Sequence, residues 1–268
     1  MPKRNIVAIV PARYAATRLP GKLLQDVGGE PLILHTLRRA SAARTISRVI
    51  AATDDERIFD VVLTYGFEAV MTSPTHRSGS DRIAEVAESL PLRSIIVNVQ
   101  GDEPAISPDT IDKAVNAMLA DSAADIVTTS EPIEFAADVL NPNIVKVVTA
   151  TSGYALYFSR SPIPFPRTAI IDSGDWERAF VAEKHLVQQY RKHTGLYVYR
   201  REFLLEFAKM LATPLEQIEV LEQLRALENG AKIRVVDACS SSIGVDTPED
   251  LERVRQILRQ SDSTTGQV

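Results

Sequence analysis

Arg13, Arg18 and Lys22 fall in one short segment, Pro11-Ala12-Arg13-Tyr14-Ala15-Ala16-Thr17-Arg18-Leu19-Pro20-Gly21-Lys22. Residues 1–25 hold five basic side chains (with Lys3 and Arg4) and no acid, in a chain whose 30 Lys and Arg face 35 Asp and Glu, a net charge of −5. Cations gathered in one loop can converge on a polyphosphate; the same charges can also stand scattered in solvent. The glycine spacings of a Walker A loop or a dinucleotide fingerprint are missing. Asp102 follows in Asn98-Val99-Gln100-Gly101-Asp102-Glu103-Pro104. An acid presented there suits Mg²⁺, which binds through one or two carboxylates plus substrate phosphates, although Gly-Asp is also an ordinary turn. Asp246, in Gly244-Val245-Asp246-Thr247-Pro248, is either a second such ligand or a partner of the helix dipole. Ser78-Gly79-Ser80-Asp81-Arg82 can offer backbone N–H groups to a base or phosphate, or simply cap a helix. Lys192-His193-Thr194-Gly195-Leu196-Tyr197 and the acids Glu216, Glu219 and Glu222, spaced by three on one helix face, are features more often structural or solvated than functional.

Ligands of open α/β sheets bind outside the carboxyl ends of the strands, so the preceding elements decide whether these residues meet. Ile6-Val7-Ala8-Ile9-Val10 reads as a strand buried on both faces and bounded by Pro11. Similar runs recur at 49–53, 95–99 and 126–129, with helical patterns between them at 32–42, 56–65, 82–90 and 111–119. This alternation predicts an α/β fold with a mostly parallel, Rossmann-like sheet flanked by helices. The second half differs. Residues 144–151 and 154–158 flank Ser152-Gly153, a hairpin signal. Residues 161–168 hold Pro162, Pro164 and Pro166 and predict an extended loop; 169–182 lack a clear period and predict a surface excursion. Thr213-Pro214-Leu215-Glu216 and Thr247-Pro248-Glu249-Asp250 each open a capped helix, and Gly230 sits where the first should stop. The chain divides as one domain, 1–268: a first half of about 1–130, a smaller mixed α+β subdomain of about 131–240, a returning segment and helix at 241–260, and a fraying polar tail at 261–268.

Composition narrows the class. At 268 residues the chain can bury a substantial core. Its mild acidity argues against a nucleic-acid partner, which calls for a broad basic face. The single cysteine, Cys239, rules out an intrachain disulfide framework and fits a reducing, cytoplasmic setting. Met1-Pro2-Lys3-Arg4 leads into too short an apolar run for a signal peptide, and no run approaches the roughly 20 residues of a membrane span. His-Glu-x-x-His and Gly-x-Ser-x-Gly motifs are missing from the sequence.

The ordered set of Pro11–Lys22, Val97–Pro104, Asn141-Pro142-Asn143, Gly153–Arg160, Pro214–Arg225 and Gly244–Arg255 resembles the 3-deoxy-manno-octulosonate cytidylyltransferase family, from residue 5 to about 258. The resemblance implies transfer of CMP from CTP to the anomeric hydroxyl of 3-deoxy-manno-octulosonate (Kdo), with diphosphate released, for lipopolysaccharide synthesis. Its first half would bind CTP and its subdomain would bind the sugar acid and form a homodimer. Arg13, Arg18 and Lys22 would neutralise the triphosphate, and Asp102 and Asp246 would hold Mg²⁺; Arg13, Lys22, Asp102 and Asp246 form the implied catalytic set. Ser78, Gly79, Arg82 and Gln100 would place the nucleotide. Gln100, Arg160, His193, Tyr197, Glu219 and Glu222 would line the sugar pocket, with Arg160 on the carboxylate. Ser80 stands where the family usually has Thr, and Lys192 where it has Arg, an exchange that is not neutral at a bidentate site. The 166–190 stretch is longer than usual. The alternatives are a cytidylyltransferase for another acid (8-amino-Kdo or a nonulosonic acid), a non-catalytic nucleotide-sensing module, and a glycosyltransferase, whose Asp-x-Asp metal motif is missing after the Ile95 strand.

Overall fold

The computed structural model describes residues 5–15 and 19–265, with side chains through Ile257. Strand β1 (Ile6–Ala12) is followed by a two-stranded antiparallel ribbon, β2 (Asp26–Val27) and β3 (Glu30–Pro31), and by helix α1 (Leu32–Ser41). Then come β4 (Arg48–Thr53), α2 (Glu56–Thr64), β5 (Glu68–Met71), α3 (Gly79–Glu88), β6 (Ile95–Asn98), α4 (Pro108–Ala120) and β7 (Ile126–Pro132). The second half contributes α5 (Ala136–Leu140), β8 (Lys146–Thr149), β9 (Ala155–Ser159), α6 (Arg167–Ser173), α7 (Trp176–Ala182), β10 (Arg191–Arg200) and α8 (Arg201–Phe207). Helices α9 (Pro214–Glu219) and α10 (Gln223–Glu228), strand β11 (Ile233–Asp237) and helix α11 (Pro248–Thr265) complete the described chain.

The main sheet runs β11-β7-β10-β6-β1-β4-β5. Strand β1 pairs in parallel with both β4 and β6, Ile9 standing opposite Ile50 on one side and Asn98 on the other. Val7 and Ile9 pack into one apolar layer with Ile50, Ile83 and Leu204, whereas Ala8 and Val10 pack into the opposite layer with Leu34, Val97 and Ile111. Burial on both faces is the physical reason the strand reads as an unbroken apolar run. The loops leaving β1, β4, β5 and β6 consequently open at the same edge.

Strand β10 enters antiparallel between β6 and β7, and the β8–β9 hairpin attaches to it through Lys146 opposite Lys192. The subdomain thus shares the sheet of the first half. A bulge between Thr194 and Tyr197 re-aims the side chains of β10. Residues 169–182 are more ordered than a surface excursion: α7 is held by a small core of Val139, Phe180, Val187 and Tyr190, with Trp176 against Phe165 at 5.3 Å, and α6 packs on α7. The helix expected from Thr213 to Gly230 is broken at Val220, whose φ of 53° is left-handed. The last helix runs to Thr265, beyond the residue-260 boundary read from sequence.

The exit from β6 is tightly packed. A Cβ on Gly101 would stand 2.9 Å from the Pro11 carbonyl oxygen and 3.3 Å from Ile33, and the Gly101 carbonyl accepts from Thr36 Oγ1 at 2.9 Å. Gly101→Ala should therefore force the two backbones apart and cost about 1–3 kcal/mol in chemical denaturation; an unchanged midpoint would contradict this packing.

Candidate active site

A cleft of about 410 Å³ lies at this carboxyl edge, lined by Arg13, Lys22, Ser78, Gly79, Gln100, Asp102 and Asp246 among others. Three distant chain segments meet on one ammonium. Lys22 Nζ donates to Asp102, to Asp246 Oδ1 at 2.9 Å and to the Val245 carbonyl at 2.9 Å. Gly21 makes this possible: its φ of 66° turns the chain, and a Cβ there would press on the Tyr14 ring at 3.0 Å. Burial alone would lower the Lys22 pKa, but the two carboxylates outweigh it and hold the value above that of an ordinary lysine.

Each carboxylate is fixed by its own segment. Asp102 follows the Gly101 turn, and its carbonyl accepts from Val245 N at 2.8 Å, tying the β6 loop to the segment before α11. Asp246 precedes a helix start closed on itself: Thr247 Oγ1 accepts from Asp250 N at 3.2 Å, while Asp250 Oδ2 accepts from Thr247 N at 3.0 Å. Glu103, next to Asp102, is pushed up to about 7, chiefly by burial and then by the Asp102 charge.

Arg13 crosses the cleft to the loop after β5, donating to the His76 carbonyl at 2.8 Å and the Arg77 carbonyl at 3.3 Å. That loop leads to Ser78, which caps α3: its hydroxyl accepts from Asp81 N at 3.1 Å, and Asp81 accepts from Ser78 N at 3.2 Å. Ser78 and Gly79 bring the helix N-terminus, with its partial positive charge, to the cleft wall. Arg82 does not join them. It is fully buried, donating to Asp54 at 2.7 Å and to Thr72, so it braces the loops after β4 and β5 from beneath. Its position one helical turn inside α3 points it into the protein. Arg18 lies outside the described residues.

The other five residues, Arg160, His193, Tyr197, Glu219 and Glu222, gather beyond Gln100. Its side-chain nitrogen is 3.5 Å from the Gly195 carbonyl. His193 packs edge-on against Phe158, with centroids 5.0 Å apart, and lies beside Tyr197 at 5.3 Å. Its Nε2 is 2.9 Å from Thr128 Oγ1, whose single proton already goes to the Leu196 carbonyl at 2.8 Å. Nε2 therefore carries the proton, leaving Nδ1 as an acceptor. Burial pushes the imidazole down to about 3, so it is neutral near pH 7. Lys192 sits on the other side of β10 and pairs with Glu131 at 3.2 Å. The Lys-for-Arg exchange thus falls outside the cluster around His193.

The break at Val220 separates acids that one helix would have aligned. Glu219 accepts from Ser159 Oγ at 2.6 Å and Arg160 N at 2.9 Å. Glu222 turns toward α3, accepting from Ser80 Oγ at 2.6 Å and from Arg225 at 2.8 Å. Arg160 donates from Nε to the Glu219 carbonyl at 2.7 Å, from Nη1 to Pro142 at 3.0 Å and from Nη2 to Val220 at 3.3 Å. Among the described residues these bonds leave one N–H on each terminal nitrogen for a carboxylate. Lys146, absent from the sequence-level site, lies beneath this cluster; its signal was a lone charge inside the apolar run Ile144-Val145-Lys146-Val147-Val148. No group of three or more His, Cys, Asp or Glu able to hold a metal occurs among the described residues. Nor is any described helix long and apolar enough to cross a membrane.

Known proteins resemble this chain in sequence and fold. A family profile described as cytidylyltransferase matches residues 7–233. The chain is 52% identical over 255 residues to a 3-deoxy-manno-octulosonate cytidylyltransferase of Geobacter sulfurreducens, spanning 95% of this chain and 100% of the relative. A solved CMP:2-keto-3-deoxy-manno-octonic acid synthetase complexed with CTP superposes with a TM-score of 0.85 at 39% identity, over 96% of this chain and 99% of that one. A 4-diphosphocytidyl-2C-methyl-D-erythritol synthase from Anaerococcus prevotii, with a TM-score of 0.59 and 19% identity over 96% and 99% of the two chains, shares the fold. A mostly parallel sheet with a cationic cleft at its carboxyl edge and this profile define a nucleotidyltransferase. Within that class, the chain belongs to the 3-deoxy-manno-octulosonate cytidylyltransferase family.

The neutral His193 makes stability depend on pH. Its folded pKa is depressed, so its contribution is present above about pH 6.5, where the unfolded imidazole is also neutral, and is lost as pH falls toward 3. Relative to His193→Gln, the wild-type protein should lose about 2 kcal/mol of unfolding free energy between pH 7 and pH 5. Parallel stability curves for the two proteins would show that burial does not depress the imidazole's pKa.

Proposed function

We propose that this chain transfers CMP from CTP to the anomeric hydroxyl of Kdo, giving CMP-Kdo and diphosphate for lipopolysaccharide synthesis. The observation that carries the reading is the convergence of Lys22, Asp102 and Asp246 at the floor of a cleft walled by Arg13 and the N-terminus of α3. The sugar hydroxyl attacks the α-phosphorus, its proton passes to water, and the bond from the α-phosphorus to the bridging oxygen breaks, that oxygen leaving with the diphosphate. Such transfers depend on positioning and charge neutralisation. Arg13, Lys22 and, from the sequence, Arg18 neutralise the triphosphate. Gly79, at the N-terminus of α3, receives the nucleotide with its backbone N–H, Ser78 caps that terminus beside it, and Gln100 stands between nucleotide and sugar.

Asp102 and Asp246 would hold Mg²⁺ together with substrate phosphates: both are carboxylates, and both converge on the Lys22 ammonium. When bound, the ion supplies Lewis-acid neutralisation of the phosphate and a lowered pKa at a coordinated hydroxyl. On the sugar side Arg160 pairs with the carboxylate, while His193 Nδ1, Tyr197, Glu219 and Glu222 meet the hydroxyls.

The lone cysteine and the CTP requirement are consistent with a cytoplasmic enzyme. Exposed apolar side chains concentrate in the second half, among them Phe135, Leu156, Phe165, Ile171, Ile218 and Val220, which supports a homodimer through the subdomain.

Purified protein incubated with CTP, Mg²⁺ and a panel of Kdo, 8-amino-Kdo and a nonulosonic acid should release diphosphate fastest with Kdo. Turnover with the nonulosonic acid alone would refute the substrate, and none with any acid would favour a nucleotide-sensing module. Asp102→Asn should lower kcat by about 10²-fold or more while CTP binding weakens less. Wild-type rates in that variant would refute the metal assignment.

A further inference from the structure

Lys146 on β8 is a buried ammonium, with no exposed surface, in the strand that pairs with β9 and β10 beside the cluster around Arg160 and His193. A lysine has three N–H donors and no acceptor. Here all three are used, and every partner is a backbone carbonyl: Asn141 at 3.0 Å, Ile144 at 2.6 Å, and Arg160. Burial depresses its pKa, the nearby Glu219 charge partly opposing the effect. Burying a charge without a hydrogen-bonded counter-ion is costly, and an apolar residue would fill the site more cheaply if packing were its only purpose.

The identity of the three carbonyls shows what that cost achieves. Asn141 and Ile144 flank Pro142, whose own carbonyl receives Arg160 Nη1 at 3.0 Å. The third carbonyl is that of Arg160. One ammonium therefore clamps the backbone of Arg160 to the turn that receives its guanidinium. The other two guanidinium bonds go to Glu219 and Val220, at the helix break. Without the clamp, the turn and the β9 exit lose their common anchor, and the guanidinium loses the wall that sets its plane.

We propose that Lys146 is a positioning residue for sugar-acid recognition, acting through Arg160 and touching neither substrate; this rests on the reading that Arg160 meets the sugar carboxylate. A role confined to Arg160 separates the two substrates kinetically. Lys146→Met should raise the KM for Kdo about tenfold while the KM for CTP moves less than about twofold, and kcat at saturating Kdo should stay within about threefold of wild type.

The test compares Lys146→Met, Arg160→Met and the double variant by steady-state kinetics with each substrate varied, alongside circular dichroism and thermal melts. The Kdo KM of the double variant should match that of Arg160→Met within about twofold, because the lysine acts through the arginine. The inference is overturned if Lys146→Met folds and leaves the Kdo KM unchanged, if it raises both KM values together, or if the two effects multiply. Arg160→Met raising the Kdo KM while Lys146→Met does not removes this inference alone; an unchanged Kdo KM in Arg160→Met removes the carboxylate reading and the inference with it. Should Lys146→Met fail to fold, Lys146→Gln, which keeps two donors without the charge, takes its place in the same comparison. Failure of both to fold, with Arg160→Met folding normally, assigns the lysine a purely structural role and also overturns the proposal.

Discussion

A single ammonium between two carboxylates organises the nucleotide end of this protein. Lys22, Asp102 and Asp246 come from the loop after β1, the loop after β6 and the segment before α11, and only a closed sheet edge brings them within hydrogen-bond distance. Two cationic loops or two acidic loops facing each other would repel. The opposite signs let the edge close around balanced charge. The close approach of Gly101 to Pro11, the Val245-to-Asp102 backbone bond and the self-capped start of α11 all serve that convergence.

The sugar side is built on a different principle. Strand β10 runs antiparallel between two strands of the parallel system and carries His193 and Tyr197 from the second half onto the first half's sheet. Around them, charge is balanced by backbone dipoles as much as by opposite charges: Arg160 donates to three carbonyls, and so does Lys146. Fixed dipoles hold cations in place without neutralising them. Ser80, on the first turn of α3, donates to Glu222 and links the two ends of the cleft through one hydrogen bond.

Much of this was legible from the chain. The strands buried on both faces, the Ser152-Gly153 hairpin and the helix starts at Pro214 and Pro248 all form where the apolar periods and capping residues put them, because these signals act over a few neighbouring residues. The charge reversal in the first 25 residues and the placement of Asp102 and Asp246 at loop and helix boundaries likewise depend on local order, and they identified the cleft before its shape was known.

Tertiary structure decided what no local signal could. Residues 169–182 have no clear helical period, yet α6 and α7 form there, α7 being held where Phe180 packs with Val139 and Tyr190. The left-handed Val220 splits an apparently continuous helix, sending Glu219 to Arg160 and Glu222 to Ser80. Arg82 is a cation near the cleft in sequence but is turned inward to Asp54, while Lys146, unremarkable in sequence apart from its apolar neighbours, ties the Asn141–Ile144 turn to the Arg160 backbone. Residue type and spacing determined which charges were available, since those are properties of the chain. Which of them face the cleft depends on side-chain direction and on partners far away in sequence, and only packing settles those.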